Sequence, residues 1–325
     1  MKRRDFLVGL LVTAVCRADA VERGKLNRLA VVAPLPPADP NEFGPLFQEL
    51  RRLGYIEGQN LVVDSFFGEG RIERYGEFAR DVVREKPDVV FAITTAMAQN
   101  LKAATATIPL VGIVVDPIGF GLVDNLARPG ANFTGVSVDA GIEIWGKRLE
   151  LLKEVIPKLS RVGVLMSKAN WEGSYGRALR NAAEHLGCSL LASQPKGQLA
   201  EAEYRRLLAA MVQDGADGIV VAESSENVTN RRVIAEIVTT YRLPAIFPLR
   251  LFAASGGLIS YGVDLVDLFH HAATQIDKIL KGTNPGEIPI YQATKFELAI
   301  NLKAVRALNL TIPPSLLATA DAVIE

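Results

Sequence analysis

Strand-length apolar runs alternate with segments of helical period along most of this chain, and they do so in two successive series. The first series comprises Leu29–Ala33, Phe43–Leu53, Leu61–Ser65, Ile72–Arg84, Val89–Ile93, Ala96–Ala104, Leu110–Val114, Leu122–Ala127 and Thr134–Val138. The second comprises Arg161–Met166, Tyr175–Leu186, Ser189–Ala192, Glu201–Asp214, Gly218–Val221, Val228–Tyr241, Ala245–Phe247 and Leu258–Ser260. Because β-α alternation builds parallel sheets covered by helices on both faces, the pattern predicts an α/β fold of two doubly wound parallel-sheet lobes.

The length of the chain agrees with this division, because 325 residues are enough for about two domains of ordinary size. We expect strands near Gly135–Asp139 and Gly262–Asp264 to cross from one lobe to the other. These crossings would form a hinge, and a ligand cleft would lie between the two lobes.

The first twenty residues are typical of an export signal. They combine a basic start, an apolar run from Phe6 to Cys16 and a small-x-small ending at Ala18–Ala20, which predicts a signal peptide over residues 1–20. The Arg3-Arg4 pair favours the twin-arginine route, with an ordinary secretory signal as the alternative. We therefore expect a periplasmic protein that is not inserted in the membrane after cleavage.

Composition excludes several partners and chemistries. The chain has 36 basic and 36 acidic residues, so it lacks the basic excess of a nucleic-acid-binding protein. Only Cys188 remains after signal cleavage, so no internal disulfide is expected. The segment Gly141–Lys147 has the spacing of a phosphate-binding loop, but Arg148 follows where a Mg²⁺-binding hydroxyl is required. Its apolar residues at helical spacing indicate an amphipathic helix instead.

Catalytic and metal-binding patterns are missing from the sequence. His185, His270 and His271 form no H-E-x-x-H pattern, and no G-x-S-x-G nucleophile elbow is present. We therefore predict no catalytic residue, no metal ligand and no cofactor.

Polar and aromatic residues stand where the predicted strands end, which is where ligands bind in open α/β sheets. The candidates for ligand binding are Thr94, Thr95, Ala96, Asp116, Asn170, Trp171, Tyr175, Glu223, Ser224 and Tyr261. Hydroxyl and N–H groups at Thr94–Ala96, before a helix, suit a carboxylate, and Glu223 suits a cationic group. Trp171, Tyr175 and Tyr261 could stack on a ring. Structural alternatives stay open, because Thr95 could cap a helix, Trp171 could pack on the surface and Glu223 could be solvated.

Long stretches of the chain resemble a known family. These are "LRRLGYIEGQNLVVD" (50–64), "KRLELLKEVIPKLSRVGVL" (147–165) and the segments 84–139, 242–290 and 294–325. They are similar to bacterial ABC-transporter solute-binding proteins of the tryptophan/tyrosine-transport type, which have the type I periplasmic binding fold. The resemblance implies a small-molecule ligand, an amino acid or an aromatic compound, that is clasped between two lobes. It also implies a separate ABC permease and its ATPase as partners.

The resemblance has further implications for organisation and site. It implies that one lobe comprises 27–138 plus 263–292 and the other 139–262 plus 293–325, in a monomeric protein that is not an enzyme. By position it implies cleft residues at Thr94, Thr95, Asp116, Asn170, Glu223 and Tyr261. Two alternatives remain, an exported α/β enzyme and a receptor-linked sensor, each acting on a small metabolite.

Overall fold

The computed structural model describes residues 26–37, 42–68, 71–139, 141–193 and 200–325, apart from the side chain of residue 72. The signal peptide predicted over residues 1–20 lies outside the described residues. Within these ranges, no helix has both the length and the apolar character needed to cross a membrane.

Strands and helices alternate through most of the described chain. The strands are β1 Asn27–Ala33, β2 Leu61–Phe67, β3 Val89–Ile93, β4 Leu110–Val114, β5 Phe133–Ser137, β6 Arg161–Leu165, β7 Ser189–Ala192, β8 Gly218–Val221, β9 Ala245–Phe247, β10 Ile259–Val263, β11 Tyr291–Gln292, β12 Phe296–Asn301 and β13 Ala322–Ile324. The α-helices are α1 Gly44–Arg52, α2 Tyr75–Arg84, α3 Thr95–Ala104, α4 Glu143–Val155, α5 Lys168–Glu172, α6 Ser174–His185, α7 Glu201–Gln213, α8 Ser225–Thr229, α9 Arg231–Thr240, α10 Arg250–Ala254, α11 Leu265–Leu280, α12 Leu302–Ala307 and α13 Pro314–Thr319. Short 3₁₀ turns span Ile72–Arg74 and Pro285–Glu287.

The strands form two sheets with closely related topology. The first sheet has the order β2-β1-β3-β4-β5-β11, and all its strands are parallel. The second has the order β7-β6-β8-β9-β10-β12-β13, in which β12 runs antiparallel to β10. In each sheet the strand order reverses once, between β1 and β3 and between β6 and β8. Ligands of doubly wound folds bind at such reversal points, outside the carboxyl ends of the strands.

Alternate residues of a single strand enter different cores, which shows that both sheets are covered on both faces. In β1, Ala30 and Val32 pack with Tyr75 of α2, whereas Leu29 and Val31 belong to the cluster on the opposite face. Strands with two buried faces must be apolar throughout, which explains their continuous runs of Val, Ile and Ala. The predicted α/β class with two doubly wound lobes is therefore confirmed.

We call the first sheet with α1, α2, α3 and α11 the first lobe, and the second sheet with the helices packed on it the second lobe. Helix α11 belongs with the first because it packs against α1, β3, β4 and β5. The chain therefore passes between the lobes after β5, after β10 and after β11. Two of these crossings are tied together, because Asp264 N–H donates to the Lys295 carbonyl at 3.0 Å. The crossings fix one side of the cleft between the lobes.

Most predicted elements are present, but one predicted helix is absent. Residues 122–127, predicted as a helix, form turns and bends in the structure. The Asn125 side chain accepts hydrogen bonds from the N–H groups of Ala127 and Arg128, which favours a turn over a helix. The predicted helix Val228–Tyr241 is divided at Asn230 into α8 and α9.

Candidate ligand-binding cleft

A cavity of about 510 Å³ lies between the two lobes. Most of its lining residues lie at or after the carboxyl ends of β1, β3, β4 and β5 in the first lobe and of β8, β9 and β10 in the second, and Glu297 lies on β12. Most of the wall is apolar, with side chains from both lobes: Phe43, Ile93, Ile113, Val138, Leu249 and Phe269. A mostly apolar cavity of this size with a few polar groups is typical of a small-molecule site.

The first lobe contributes hydroxyl groups where β3 meets α3. Thr94 caps α3, and its Oγ1 accepts a hydrogen bond from Met97 N–H at 3.4 Å. The backbone of Thr94 has φ +87°, a region that a β-branched residue rarely occupies. Thr95 Oγ1 accepts from Val115 N–H at 2.9 Å and so joins α3 to the end of β4. Both residues line the cavity, as the sequence predicts of cleft residues, and both also hold this corner together.

The second lobe faces α3 with the start of α8. Ser224 caps α8 by accepting from Asn227 N–H at 3.1 Å. Ser225 Oγ accepts from Ala96 N–H across the cleft at 3.4 Å. A second contact between lobes joins Arg231 Nη2 to Glu42 Oε2 at 3.1 Å. The lobes therefore touch directly at the edge of the cavity.

Glu223 lines the cavity, but its charge is already balanced inside the second lobe. Arg148 of α4 binds both carboxylate oxygens, with Nη1 at 2.9 Å from Oε2 and Nη2 on Oε1. Arg148 is fully buried, and its Nε donates to the Tyr261 carbonyl at 2.8 Å. A bidentate Arg–carboxylate pair is strong and fixed in orientation. It connects α4 to the ends of β8 and β10.

A second, smaller cavity adjoins the first, and both share Val115, Val138 and Glu223. Two predicted residues, Asn170 and Tyr175, line it. The Tyr175 hydroxyl donates to Asp139 Oδ2 at 2.8 Å. Burial raises the pKa of Tyr175 well above its ordinary value, and the hydrogen bond to Asp139 raises that pKa further. Tyr175 is therefore a neutral donor that holds the crossing residue Asp139.

The remaining predicted residues line neither cavity in the described part of the chain. Asp116 Oδ1 accepts from Gly119 N–H at 2.9 Å and closes a turn. The Trp171 ring lies 4.6 Å from the Arg180 guanidinium, and the Tyr261 ring stacks on Phe296 at 6.1 Å. Ala96 contributes the backbone N–H that contacts Ser225. For Trp171 the structure shows the packing alternative that the sequence left open.

Several cavity residues do not stand at the end of a predicted strand, so the sequence did not mark them as candidates. Phe43, Arg250 and Phe269 lie at or near the starts of helices, and Glu297 lies inside β12. In the sequence, Arg148 stands out only as a residue that breaks a phosphate-loop pattern. A glutamate or arginine at an inward position of a strand or helix is the one signal that could have pointed to Glu297 and Arg148.

Glu297 differs from the other cavity acids in its surroundings. Its side chain is 11% exposed, and the nearest cation is Arg250, whose Nη1 lies 3.7 Å from Oε2. Burial raises the pKa of Glu297 to about 7, with Arg250 opposing the shift and Asp264 and Asp321 adding to it. The described residues contain no group of three or more His, Cys, Asp or Glu side chains that could hold a metal.

Two doubly wound lobes around an interlobe cavity define the type I periplasmic binding fold. The chain belongs to the family of ABC transporter substrate binding proteins, whose model matches residues 37–324. The family expected from the sequence is thereby confirmed.

Individual relatives are similar over most of the chain. A curated tyrosine-binding protein of Clostridioides difficile (strain R20291) is 27% identical over 264 residues, which cover 79% of this chain and 73% of the relative. The crystal structure of a conserved domain protein from Vibrio cholerae matches with a TM-score of 0.79 at 28% identity, over 92% of this chain and 100% of that one. The ABC domain from Streptococcus pneumoniae in complex with L-Trp matches with a TM-score of 0.78 at 24% identity, over 92% and 99% of the two chains.

Proposed function

We propose that this protein is an exported solute-binding protein of an ABC importer, which carries a small ligand to a membrane permease and does not transform it. The ligand is an amino acid or an aromatic small molecule, bound between a lobe of residues 27–138 plus 263–292 and a lobe of residues 139–262 plus 293–325. The protein acts as a monomer in the periplasm.

The observation that carries this proposal is the apolar cavity between the carboxyl ends of two sheets. A volume of about 510 Å³ suits a ligand the size of an aromatic amino acid. The contacts from Ala96 to Ser225 and from Arg231 to Glu42 fit a conformation in which the lobes are closed. Closure around a ligand is the change that a transporter can detect. The ligands in the names of two relatives, tyrosine and L-Trp, agree with a cavity of this character.

The test is a thermal-melting screen of the mature protein against amino acids, aromatic acids and nucleosides. A ligand that binds only the folded protein raises the melting temperature with concentration. The compound must be recovered unchanged by mass spectrometry, because an enzyme would consume it. A screen without any shift, or a consumed ligand, contradicts the proposal.

A matched pair of variants ties the ligand to the cavity. Ala254 is exposed and lines the cavity on α10, so Ala254→Trp fills the cavity without overpacking a core. Ala307→Trp makes the same change at an exposed position on α12, outside the cavity lining. We expect a loss of binding of at least about tenfold for the first and no change for the second.

Export is tested separately by cell fractionation. The full chain should appear in the periplasm with an N-terminus after Ala20. Conversion of Arg3 and Arg4 together to lysine should block export by the twin-arginine route, whereas Arg17→Lys should not. Export of the double variant at the normal level indicates the general secretory route.

A further inference from the structure

The polar groups that line the large cavity differ in how much of their bonding capacity is used inside the protein. Among its carboxylates, Glu42 accepts from Arg231, and Glu223 accepts two hydrogen bonds from Arg148. The Ser255 hydroxyl donates to the Leu251 carbonyl at 2.9 Å, and Arg232 also has a partner. Glu297 and its neighbour Arg250 are the exceptions among the described lining residues, because they face each other as an ion pair at 3.7 Å and neither makes a hydrogen bond of ordinary length.

The side chain of Glu297 is buried and lines the cavity. The residue is 9% exposed and lies on β12 opposite Gly262 of β10. The separation of 3.7 Å from Arg250 is too long for a hydrogen bond, and the Arg250 side chain is 49% exposed. A buried carboxylate with one cation beyond hydrogen-bond distance is only partly stabilised, so a further donor would stabilise it. The cavity is the side from which a partner can approach.

We propose that Glu297, rather than Glu223, receives the cationic group of the bound ligand. This inference rests on the proposed function and names the chemistry of its ligand, which is a primary ammonium on an apolar or aromatic body. The ligand ammonium donates to the Glu297 carboxylate, and the apolar body lies against Phe43, Phe269 and Leu249.

Glu297 is influenced by one cation and by two further acids. The groups that act on it are Arg250 on α10, Asp264 at the start of α11 and Asp321 before β13. Asp264 Oδ1 caps α11 through Val266 N–H, and Asp321 Oδ2 accepts from Leu298 N–H, so both carboxylates are fixed. Burial is the main cause of the raised pKa of Glu297, Arg250 opposes the shift and the two acids add to it, so an ammonium from the ligand offsets both the burial and the repulsion. Glu223 has less to gain, because Arg148 already neutralises it.

A thermodynamic cycle, in which the ammonium of the ligand and the carboxylate of Glu297 are each removed, tests this assignment. The ligands are L-tryptophan and indole-3-propionate, which lacks the ammonium, and binding is measured by calorimetry at about pH 8, where Glu297 is ionised. Wild-type protein should prefer L-tryptophan by about 10- to 100-fold, the worth of one charge-assisted hydrogen bond. Glu297→Gln, which keeps the shape of the side chain, should reduce that preference to within about threefold.

Two further variants complete the cycle. Glu287→Gln removes the same charge at an exposed position and should keep the wild-type preference. Glu223→Gln should lower the melting temperature, because it weakens the pair with Arg148, and should weaken the binding of both compounds to a similar extent, because Glu223 lines the cavity without receiving the ammonium.

The outcomes separate this inference from the proposed function. If wild-type protein binds L-tryptophan and Glu297→Gln retains the full preference over indole-3-propionate, the assignment to Glu297 is wrong while the proposed function stands. The same holds if Glu223→Gln abolishes the preference. If wild-type protein binds neither compound, nor L-tyrosine and its analogue without the ammonium, both proposals fail together.

Discussion

The two lobes have related topology but supply the cleft with different chemistry. In the first lobe the polar groups at the reversal point are the hydroxyls of Thr94 and Thr95, each bonded to nearby backbone. In the second lobe the corresponding edge has the buried pair Arg148–Glu223 and, on β12, Glu297. Apart from Glu42, which pairs with Arg231 of the other lobe, the first lobe therefore contributes neutral groups that are satisfied locally, and the second lobe contributes most of the charges.

This difference follows from how each group can be stabilised. A threonine hydroxyl needs a single N–H group, which Thr94 takes from the start of α3 and Thr95 from Val115, after the neighbouring strand β4 of the same lobe. A buried carboxylate needs a cation or several donors, and these come from other elements. Glu223 takes its cation from α4, 75 residues away in sequence. The charged lobe is thus the one whose site depends on tertiary packing.

The largest expected effect tests whether the charged lobe depends on its buried pair. Arg148→Met should destabilise the protein by about 3–5 kcal/mol, because Glu223 would remain buried without its partner. Urea unfolding of the mature protein measures this change. The double variant Arg148→Met with Glu223→Leu should recover most of the loss, since no unpaired charge remains.

Lys147 provides the control for that experiment, because it is exposed on the same helix. Lys147→Met should change the free energy of unfolding by less than about 0.5 kcal/mol. An Arg148→Met variant that lost less than about 1 kcal/mol would show that the pair is not needed for stability.

The next largest effect is the pH dependence of stability that Glu297 gives to the second lobe. The pKa of Glu297 is about 7 in the folded protein against an ordinary 4.5, so the folded state binds more protons between these values. Its stability therefore falls as the pH rises from about 4.5 through 7, by about 1–3 kcal/mol from this group. Glu297→Gln should remove this slope and be the more stable form at about pH 8.

Unfolding of the ligand-free protein at several pH values measures the slope. Glu287→Gln, which changes an exposed acid, should follow the wild-type profile throughout. Parallel profiles for wild type and Glu297→Gln would mean that Glu297 has an ordinary pKa.

A smaller effect concerns the neutral lobe. Thr94 has φ +87° and ψ +148°, a conformation that costs a β-branched residue about 1–3 kcal/mol and glycine much less. Thr94→Gly should therefore stabilise the ligand-free protein by about 1 kcal/mol after the loss of the cap is included. Its ligand affinity should fall, because a cavity hydroxyl is removed.

Thermal melting with and without ligand checks both parts of this prediction. Thr107→Gly, at an exposed position without positive φ, should lose about 0.5–1 kcal/mol of stability instead. A Thr94→Gly variant as destabilised as this control would remove the case for stored strain at the cleft.

The smallest expected effect lies where the lobes meet. Glu42→Gln weakens the ion pair with Arg231 and should shift the equilibrium toward open lobes by about 0.5–1 kcal/mol. Ligand affinity should then fall by about two- to fivefold, because closing costs more. Small-angle scattering of the ligand-free protein reports the opening, and exposed Glu57→Gln is the matched control. An unchanged radius and affinity would show that this pair does not favour closure.

Much of the fold could be predicted from the sequence, because the hydrophobic period that defines each element is local. The predicted ends of β3, β4, β7, β8 and β9 coincide with those in the structure. The prediction of a helix at residues 122–127 was wrong, because the side chain of Asn125 competes for backbone N–H groups. That competition depends on one side-chain conformation and leaves no periodic signal.

The candidate site was predicted less completely, for a different reason. The order of strands brings Thr94, Thr95, Glu223 and Ser224 to one cavity, as strand ends must in two facing doubly wound sheets. The positions of these four residues in the sequence could not reveal that Arg148 binds both carboxylate oxygens of Glu223. Nor could it reveal Glu297, which lies inside a strand rather than at its end.

The sequence by itself determined the α/β alternation, the two doubly wound lobes and the chemistry of the residues at the strand ends, because each depends on near neighbours along the chain. Only the tertiary structure decided which of those polar groups are already paired and which still face the cavity. Pairing depends on the approach of elements that are far apart in sequence. Arg148 and Glu223 meet across 75 residues, whereas Glu297 has only Arg250, 3.7 Å away and beyond hydrogen-bond distance.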